Sequence, residues 1–530
     1  MKKFLTIFIT LITKISLPLV FLTFFCVIVL GLSIRGNYGS PDENQLKSAE
    51  WKEKGPFELS PERGRFALIY SIVENHSFRF SPNLARFAAP DVAVTKDGEF
   101  VSLFAPTVSF IAIPGYLIGK QFGISQVGTY AVIAIFALLN VFLIRAIAQK
   151  IKVGSQAATI GAIVFLFATP AFTYAVNLYQ HHISTFLILL SIYLLISFRS
   201  FWSQAGIFFL YSLAVTVDYP NLFMMLPIAL ASVGKMFYVE NLKEKVKIVI
   251  KFPITVAVFA AVLPLLFFLW FNQVSYDNPL QLSGTLKTIR DFKQYSDFLS
   301  GNIQGLQPSL EQEEVSAGKK TAVGFFNTRN LANGLYLHLL SQDRGILYFT
   351  PVIFFSLIGI VLSYRKKVRG SAILVAVLGI NILLYSMWSD PWGGWAFGSR
   401  YLIPAYAVLV ILLSLVIDYF KKSLIFGSIF IIVFIYSVAV NTLGALTTSA
   451  NPPKIEALPL EKLSGIEQKY TYERNTDFLK TYGSKSFFYG YYTKSFLKVW
   501  QYYYLVLGII LVPSILIIAH YFFIKRKGNK

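Results

Sequence analysis

The sequence predicts an all-α polytopic membrane protein of about 12 transmembrane helices, and three observations carry that reading. The chain is 55% hydrophobic and only 14% charged, with 49 Phe and 30 Tyr. Apolar runs near the roughly 20 residues that cross a bilayer recur along its whole length. Most of the basic residues fall between those runs, so membrane orientation and anionic lipid account for the net charge of +21 better than nucleic acid does.

In chain order the spans are expected at 15–33, 125–147, 157–177, 183–199, 205–218, 219–234, 252–272, 346–364, 371–389, 401–420, 424–445 and 502–524. The first run is too long for a signal-peptide core and lacks a small-residue cleavage site, so it reads as a retained signal-anchor helix. The sixth follows the fifth directly, with Asp218-Tyr219-Pro220 interrupting the pair. The segment 104–120 (FAPTVSFIAIPGYLIGK) has two prolines and is short for a crossing, so it is expected as a juxtamembrane or partly inserted helix. The clusters Lys2/Lys3/Lys14, Arg145/Lys150/Lys152, Lys243/Lys245/Lys247/Lys251, Arg365/Lys366/Lys367/Arg369, Lys421/Lys422 and Lys525/Arg526/Lys527 then share one face. The positive-inside rule makes that face cytoplasmic, with both termini on it.

Two blocks follow from this layout. Residues 1–445 form the expected transmembrane catalytic module, with outer loops 35–124 and 273–345, and 446–530 an outer loop with a last helix. The polar run 302–330 is expected to be mobile. Cys26 is the one cysteine, which excludes an intramolecular disulfide and a cysteine-based metal site.

Carboxylates and guanidinium groups gather in the loop 35–106, where an oily protein has little structural need for them. In Ser60-Pro61-Glu62-Arg63-Gly64-Arg65 the proline and the apolar spacing beyond it predict a short helix capped by Ser60, with Glu62 and Arg65 on one face. A surface ion pair is the plain alternative. Asp97-Gly98 reads as a turn. Asp91 has no such role, and Asp42-Glu43 is a competing acidic pair near the first span. Downstream, WSDPWGGWAFGSRY sets three glycines and Arg400 at the head of a span, and Arg344 repeats the pattern. Snorkelling explains such arginines too, although an arginine fork at an interface also suits phosphate. His181 and His182 cannot share one helix face, which argues against zinc. His181, Tyr219, Trp392 and Trp395 are the expected lining of a sugar or lipid pocket.

A sugar on a polyprenyl phosphate needs an apolar groove, a cation or metal for the departing phosphate, and a carboxylate for the acceptor's proton. The chain offers such groups on one expected face and shows no nucleotide cradle. The segments ERGRFALIYSIVE, PDVAVTKDGEFVSLFAPTVSFIAIPGYLIG, LYQHHISTFL, VDYPN, WFNQVSYDNP, DRGILYFTP and WGGWAFGSRYLIP, in that order, resemble landmarks of the GT-C superfamily of integral-membrane glycosyltransferases. The likeness is to its polyprenyl-phosphate-sugar-dependent protein mannosyltransferase and aminoarabinose transferase-like group. It implies a GT-C-like bundle and transfer of a monosaccharide, with inversion, to a glycan, lipid or protein acceptor on the extracytoplasmic face. It also implies an acidic catalytic residue at Glu62, its following arginine at Arg65, and the arginine after the Gly-rich turn at Arg400. The family often has Asp at the Glu62 position, and Thr107 stands where Gly is usual, so the base stays open between Glu62, Asp91 and Asp42-Glu43. Mg²⁺ or Mn²⁺ on the clustered carboxylates is an open option. A flippase or transporter would place ionisable groups near the bilayer midplane, where Asp218 is the main candidate. A glycan polymerase or ligase is the rival within enzymes.

Overall fold

The computed structural model describes residues 17–52, 55–242, 245–250, 255–306 and 322–524. The basic residues at 2–14, 243, 251 and 525–527 lie outside these, as do 307–321 of the polar run. The protein is a multi-pass, mainly helical bundle. Among the described residues, five helices are long and apolar enough to cross a membrane: Ser125–Lys150, Val256–Tyr276, Arg400–Tyr419, Leu424–Leu446 and Val499–Ile524. Shorter apolar helices include Pro18–Ser33, Ser155–Phe167, His181–Ser197, Phe201–Val217, Asn221–Gly234, Pro351–Arg365 and Ser371–Ser386.

Proline divides several expected spans. Pro170 ends the Ser155–Phe167 helix and starts a single turn, Ala171–Tyr174. Pro351 opens a 3-10 segment ahead of Ser356–Arg365. After Phe201–Val217, Asp218 turns to extended backbone, and Pro220 heads the next turn. Each proline lacks the N–H that would continue the ladder behind it. Backbone in the expected cytoplasmic stretch after Gly234 forms a hairpin, Phe237–Leu242 with Lys245–Ile250.

Arg400–Tyr419 is the central helix: 89% of its apolar window is buried, against 39% or less in the other four long helices. The segment expected as juxtamembrane is the helix Thr107–Gln121, packed along Ser125–Lys150. Glycines let the two backbones touch, since a Cβ on Gly128 would lie 2.0 Å from the Gly115 oxygen. Gly128→Val is therefore expected to cost about 1–3 kcal/mol, read as a lower unfolding temperature in detergent.

The long loops pack on one another as a polar cap. Within it lies a small antiparallel sheet, Arg79–Phe80, Phe100–Ser102, Val92–Val94 and Lys287–Thr288 in spatial order. Arg86 donates to the Phe298 and Ile303 carbonyls (2.8 and 2.7 Å), tying the first loop to the segment after Tyr276. Asp97-Gly98 makes the expected turn, with Gly98 at φ 82°.

A buried clamp joins the first loop to 446–498. Glu58 takes Arg35 at 3.0 Å and Lys485 at 2.7 Å, and accepts from the Ser449 N–H at 2.8 Å. Arg35 also donates to the Gly444 and Ala445 carbonyls. Burial alone would raise the Glu58 carboxyl, but Lys485 and Arg35 outweigh it and hold it at about 2. Its contribution to stability is complete above the unfolded value of 4.5 and is lost as pH falls toward 2. Glu58→Gln leaves two cations without their shared partner. It should cost about 3–5 kcal/mol in thermal unfolding at neutral pH.

Candidate active site

The helix Ser60–Glu74 positions the first group. Pro61 sits in the opening turn, where its missing N–H costs nothing. Ser60 is not the cap that its sequence position suggests; its hydroxyl donates to Asp91 Oδ2 at 2.5 Å. Glu62 reaches back instead, and its Oε2 accepts from the Glu58 and Leu59 N–H groups (3.1 and 3.4 Å). Its Oε1 is buried and has no partner among the described residues. Burial first, and the nearby Glu58 charge second, push the Glu62 carboxyl up to about 7.

One helical turn on, Arg65 donates to the Pro61 carbonyl (2.9 Å) and to Gln180 Oε1 (2.7 Å). Gln180 in turn donates to Asp218 Oδ2 at 3.2 Å. The Arg65 guanidinium lies 4.8 Å over Phe104 and 6.0 Å from the centre of the Tyr179 ring. Burial pulls Arg65 down to about 10, with Asp218 acting in the opposite direction.

Arg400 approaches Tyr179 as well, at 5.2 Å from the ring centre, with Tyr401 at 5.5 Å. Its Nε and Nη1 are buried without partners among the described residues. The Gly-rich turn brings it there. Gly393, Gly394 and Gly398 all take positive φ (72°, 60° and 57°), which other residues avoid. A Cβ on Gly393 would also stand 3.2 Å from Arg400 Nε. His181 stacks on Tyr179 (5.8 Å, 11°) and meets Tyr401 edge-on, with Nε2 buried and unpartnered among the described residues.

Tyr179 is thus a hub. Arg65, Arg400 and His181 surround its ring, and the Glu62 charge acts on its phenol. The Tyr179 hydroxyl and both polar atoms of Asn177 are buried without partners among the described residues. Buried polar atoms rarely stay unpaired in a folded protein unless a ligand or water completes them.

The other residues singled out by the sequence lie elsewhere or are fully engaged. Asp91 pairs with Arg290 and Ser60. Asp42 caps the short helix Glu43–Leu46 with two 2.8 Å bonds. Glu43 accepts from Asn75 and Ser81. Arg344 gives all five of its N–H donors to Asp343, Trp392, Gly394 and Asn451, so it clamps the Gly-rich turn from behind and has none left for a phosphate. Trp395 donates to Glu456 Oε2 at 2.7 Å under Arg474. Tyr219 bonds Ser283 at 3.1 Å. Among the described residues no three His, Cys, Asp or Glu side chains gather to hold a metal ion.

Two further residues near this cluster stand differently from their sequence reading. Asp218 reads in sequence as the main candidate for a charge near the midplane, whereas the break at Pro220 brings its carboxylate to Gln180, which also holds Arg65. His338 reads as an isolated loop residue; it lies on the helix Leu331–Leu339, with Nδ1 2.6 Å from the Ser399 hydroxyl, next to Arg400.

No family model and no curated protein sequence matches the chain. Among solved structures, ArnT from Cupriavidus metallidurans aligns in its apo state with a TM-score of 0.40 at 11% identity, covering 94% of this chain and 76% of that one. The same protein bound to undecaprenyl phosphate gives 0.43 at 10%, with the same coverage. The archaeal oligosaccharyltransferase AglB from Archaeoglobus fulgidus, in complex with an inhibitory peptide and a dolichol-phosphate, gives 0.36 at 13%, covering 93% of this chain and 56% of that one.

Proposed function

We propose that the protein is a GT-C-type membrane glycosyltransferase that moves a monosaccharide from a polyprenyl phosphate to an acceptor on the extracytoplasmic face. One observation carries the reading. Glu62, with Oε1 unpartnered among the described residues, stands one turn from Arg65 on the helix Ser60–Glu74, and Arg65 meets Arg400, which has two donors unpartnered among the described residues, at the Tyr179 ring. That is the pairing a transfer from a lipid phosphate requires: a base for the acceptor and a cation for the leaving group.

In this reaction Glu62 takes the proton of the acceptor hydroxyl through Oε1. The acceptor oxygen then bonds to the anomeric carbon as the bond from that carbon to the phosphate oxygen breaks, on the opposite face. The configuration inverts, and the polyprenyl phosphate leaves with its added charge met by Arg400 and Arg65. Asp218, through Gln180, orients Arg65. The test is to give purified protein in liposomes a panel of radiolabelled polyprenyl-phosphate monosaccharides with a crude acceptor extract. One donor should lose its label with time; retention of label by every donor would refute the proposal.

A further inference from the structure

The cap holds a recess of about 610 Å³ between the helix Leu331–Leu339 and the start of the helix Lys454–Ser464. Three aromatic side chains, Tyr336, Trp392 and Tyr470, line it with the aliphatic Leu337, Leu340, Ile455 and Leu458 and the polar Asn333, Ser341, Gln342 and Asp343, and the Lys454 ammonium there lies 5.7 Å over the Tyr470 ring. Tyr336 is 58% exposed. The Asp343 charge is already met by Arg344 at 2.7 Å, and its second oxygen accepts from the Lys454 N–H at 3.0 Å. The acid in this recess is therefore neutralised before any ligand arrives.

Rings and aliphatic side chains set beside amide and hydroxyl groups suit one chemical class well. A saccharide has C–H faces that stack on aromatic rings and hydroxyls that bond amides, and it carries no charge to be matched. An acyl or prenyl chain could cover Leu337, Leu340, Ile455 and Leu458, but it would leave Asn333, Gln342 and the Lys454 ammonium facing hydrocarbon, at a desolvation cost.

The recess also has a covalent connection to the arginine site. Trp392 lines it, and the next residue, Gly393, has the backbone position from which a Cβ would reach Arg400 Nε at 3.2 Å. The Asp390–Arg400 turn is thus a wall with Trp392 toward the recess and Arg400 toward Tyr179. Arg344 stiffens that wall through the Trp392 and Gly394 carbonyls.

We infer that this recess is a saccharide subsite, which holds a neutral sugar unit of the acceptor. The assignment rests on the transferase reading for the word acceptor, and on the recess itself for the word saccharide. The two are separable by experiment. Saturation-transfer NMR would be recorded on the purified protein with maltotriose, chitotriose and mannotriose in turn, without any lipid donor. At least one should take up saturation from the wild type. Tyr336→Ala, an exposed position with little bearing on folding, and Trp392→Ala should each weaken the effect by about 3- to 10-fold. Trp202→Ala, on a helix remote in sequence and 81% exposed, should leave it unchanged. No saturation of any of the three sugars, or an equal signal in Tyr336→Ala, would overturn the subsite. If the sugars bind while no labelled donor is consumed, the transferase reading fails and the saccharide site stands.

Discussion

Replacing Arg400 with alanine is expected to abolish measurable binding of polyprenyl phosphate while the protein still inserts and folds. The guanidinium lies beside Tyr179 and Tyr401, with Nε and Nη1 unpartnered among the described residues. Among the described residues its removal breaks no ion pair. Each charge-assisted hydrogen bond lost to a phosphate costs about 1.5–3 kcal/mol, so two amount to at least about 10²-fold in affinity. Arg400→Lys should recover part of the charge but not the planar donor set. Arg344→Ala makes the contrast: it should lower the unfolding temperature, because it frees the turn that Arg344 holds through Trp392 and Gly394. Wild-type affinity in Arg400→Ala, measured by titrating the purified protein with undecaprenyl phosphate, would remove Arg400 from the phosphate site.

The second large effect is the pH dependence set by Glu62. Its carboxyl titrates at about 7 in the folded protein against a reference of 4.5. Only the ionised form can accept a proton, so transfer should rise as pH climbs through about 7 and level off above it. The sign for stability is the reverse. The folded state holds its proton while the unfolded state loses it, so stability declines from pH 4.5 to about 7 and is flat beyond. Activity and stability therefore run in opposite directions across one interval. Glu58 shows the contrasting case, with a carboxyl held at about 2 by two cations and its stability lost only in strong acid. A transfer rate independent of pH between 6 and 8 would exclude Glu62 as the base.

The bundle is legible in the sequence because apolar length and basic clusters report directly on burial. Where proline falls inside an apolar run the reading loses detail, as at Pro170 and Pro351, since hydropathy alone does not register a missing N–H. The small sheet escapes notice because its strands are two or three residues long and one of them, Lys287–Thr288, joins from a distant loop. At the candidate site, the sequence pairs Glu62 with Arg65 on one helix face and picks out His181 and Arg400 separately, and the structure brings Arg65, His181 and Arg400 together around Tyr179. It does not reveal that Arg344 is saturated, because its acceptors are backbone carbonyls far along the chain. The Glu58 clamp is hidden for the same reason: Arg35 and Lys485 lie at opposite ends of the sequence, and a lone glutamate before a proline-headed helix looks unremarkable.

The central claim is that Glu62 is the base of a transfer reaction at this buried cluster. Its direct test compares wild type and Glu62→Gln in matched proteoliposomes at pH 8, with the labelled polyprenyl-phosphate sugar that the donor panel identifies. Glutamine keeps the shape of the side chain and removes its basicity. Glu62→Gln should bind polyprenyl phosphate as the wild type does and transfer label about 10²- to 10⁴-fold more slowly. Transfer at the wild-type rate by Glu62→Gln would contradict the account.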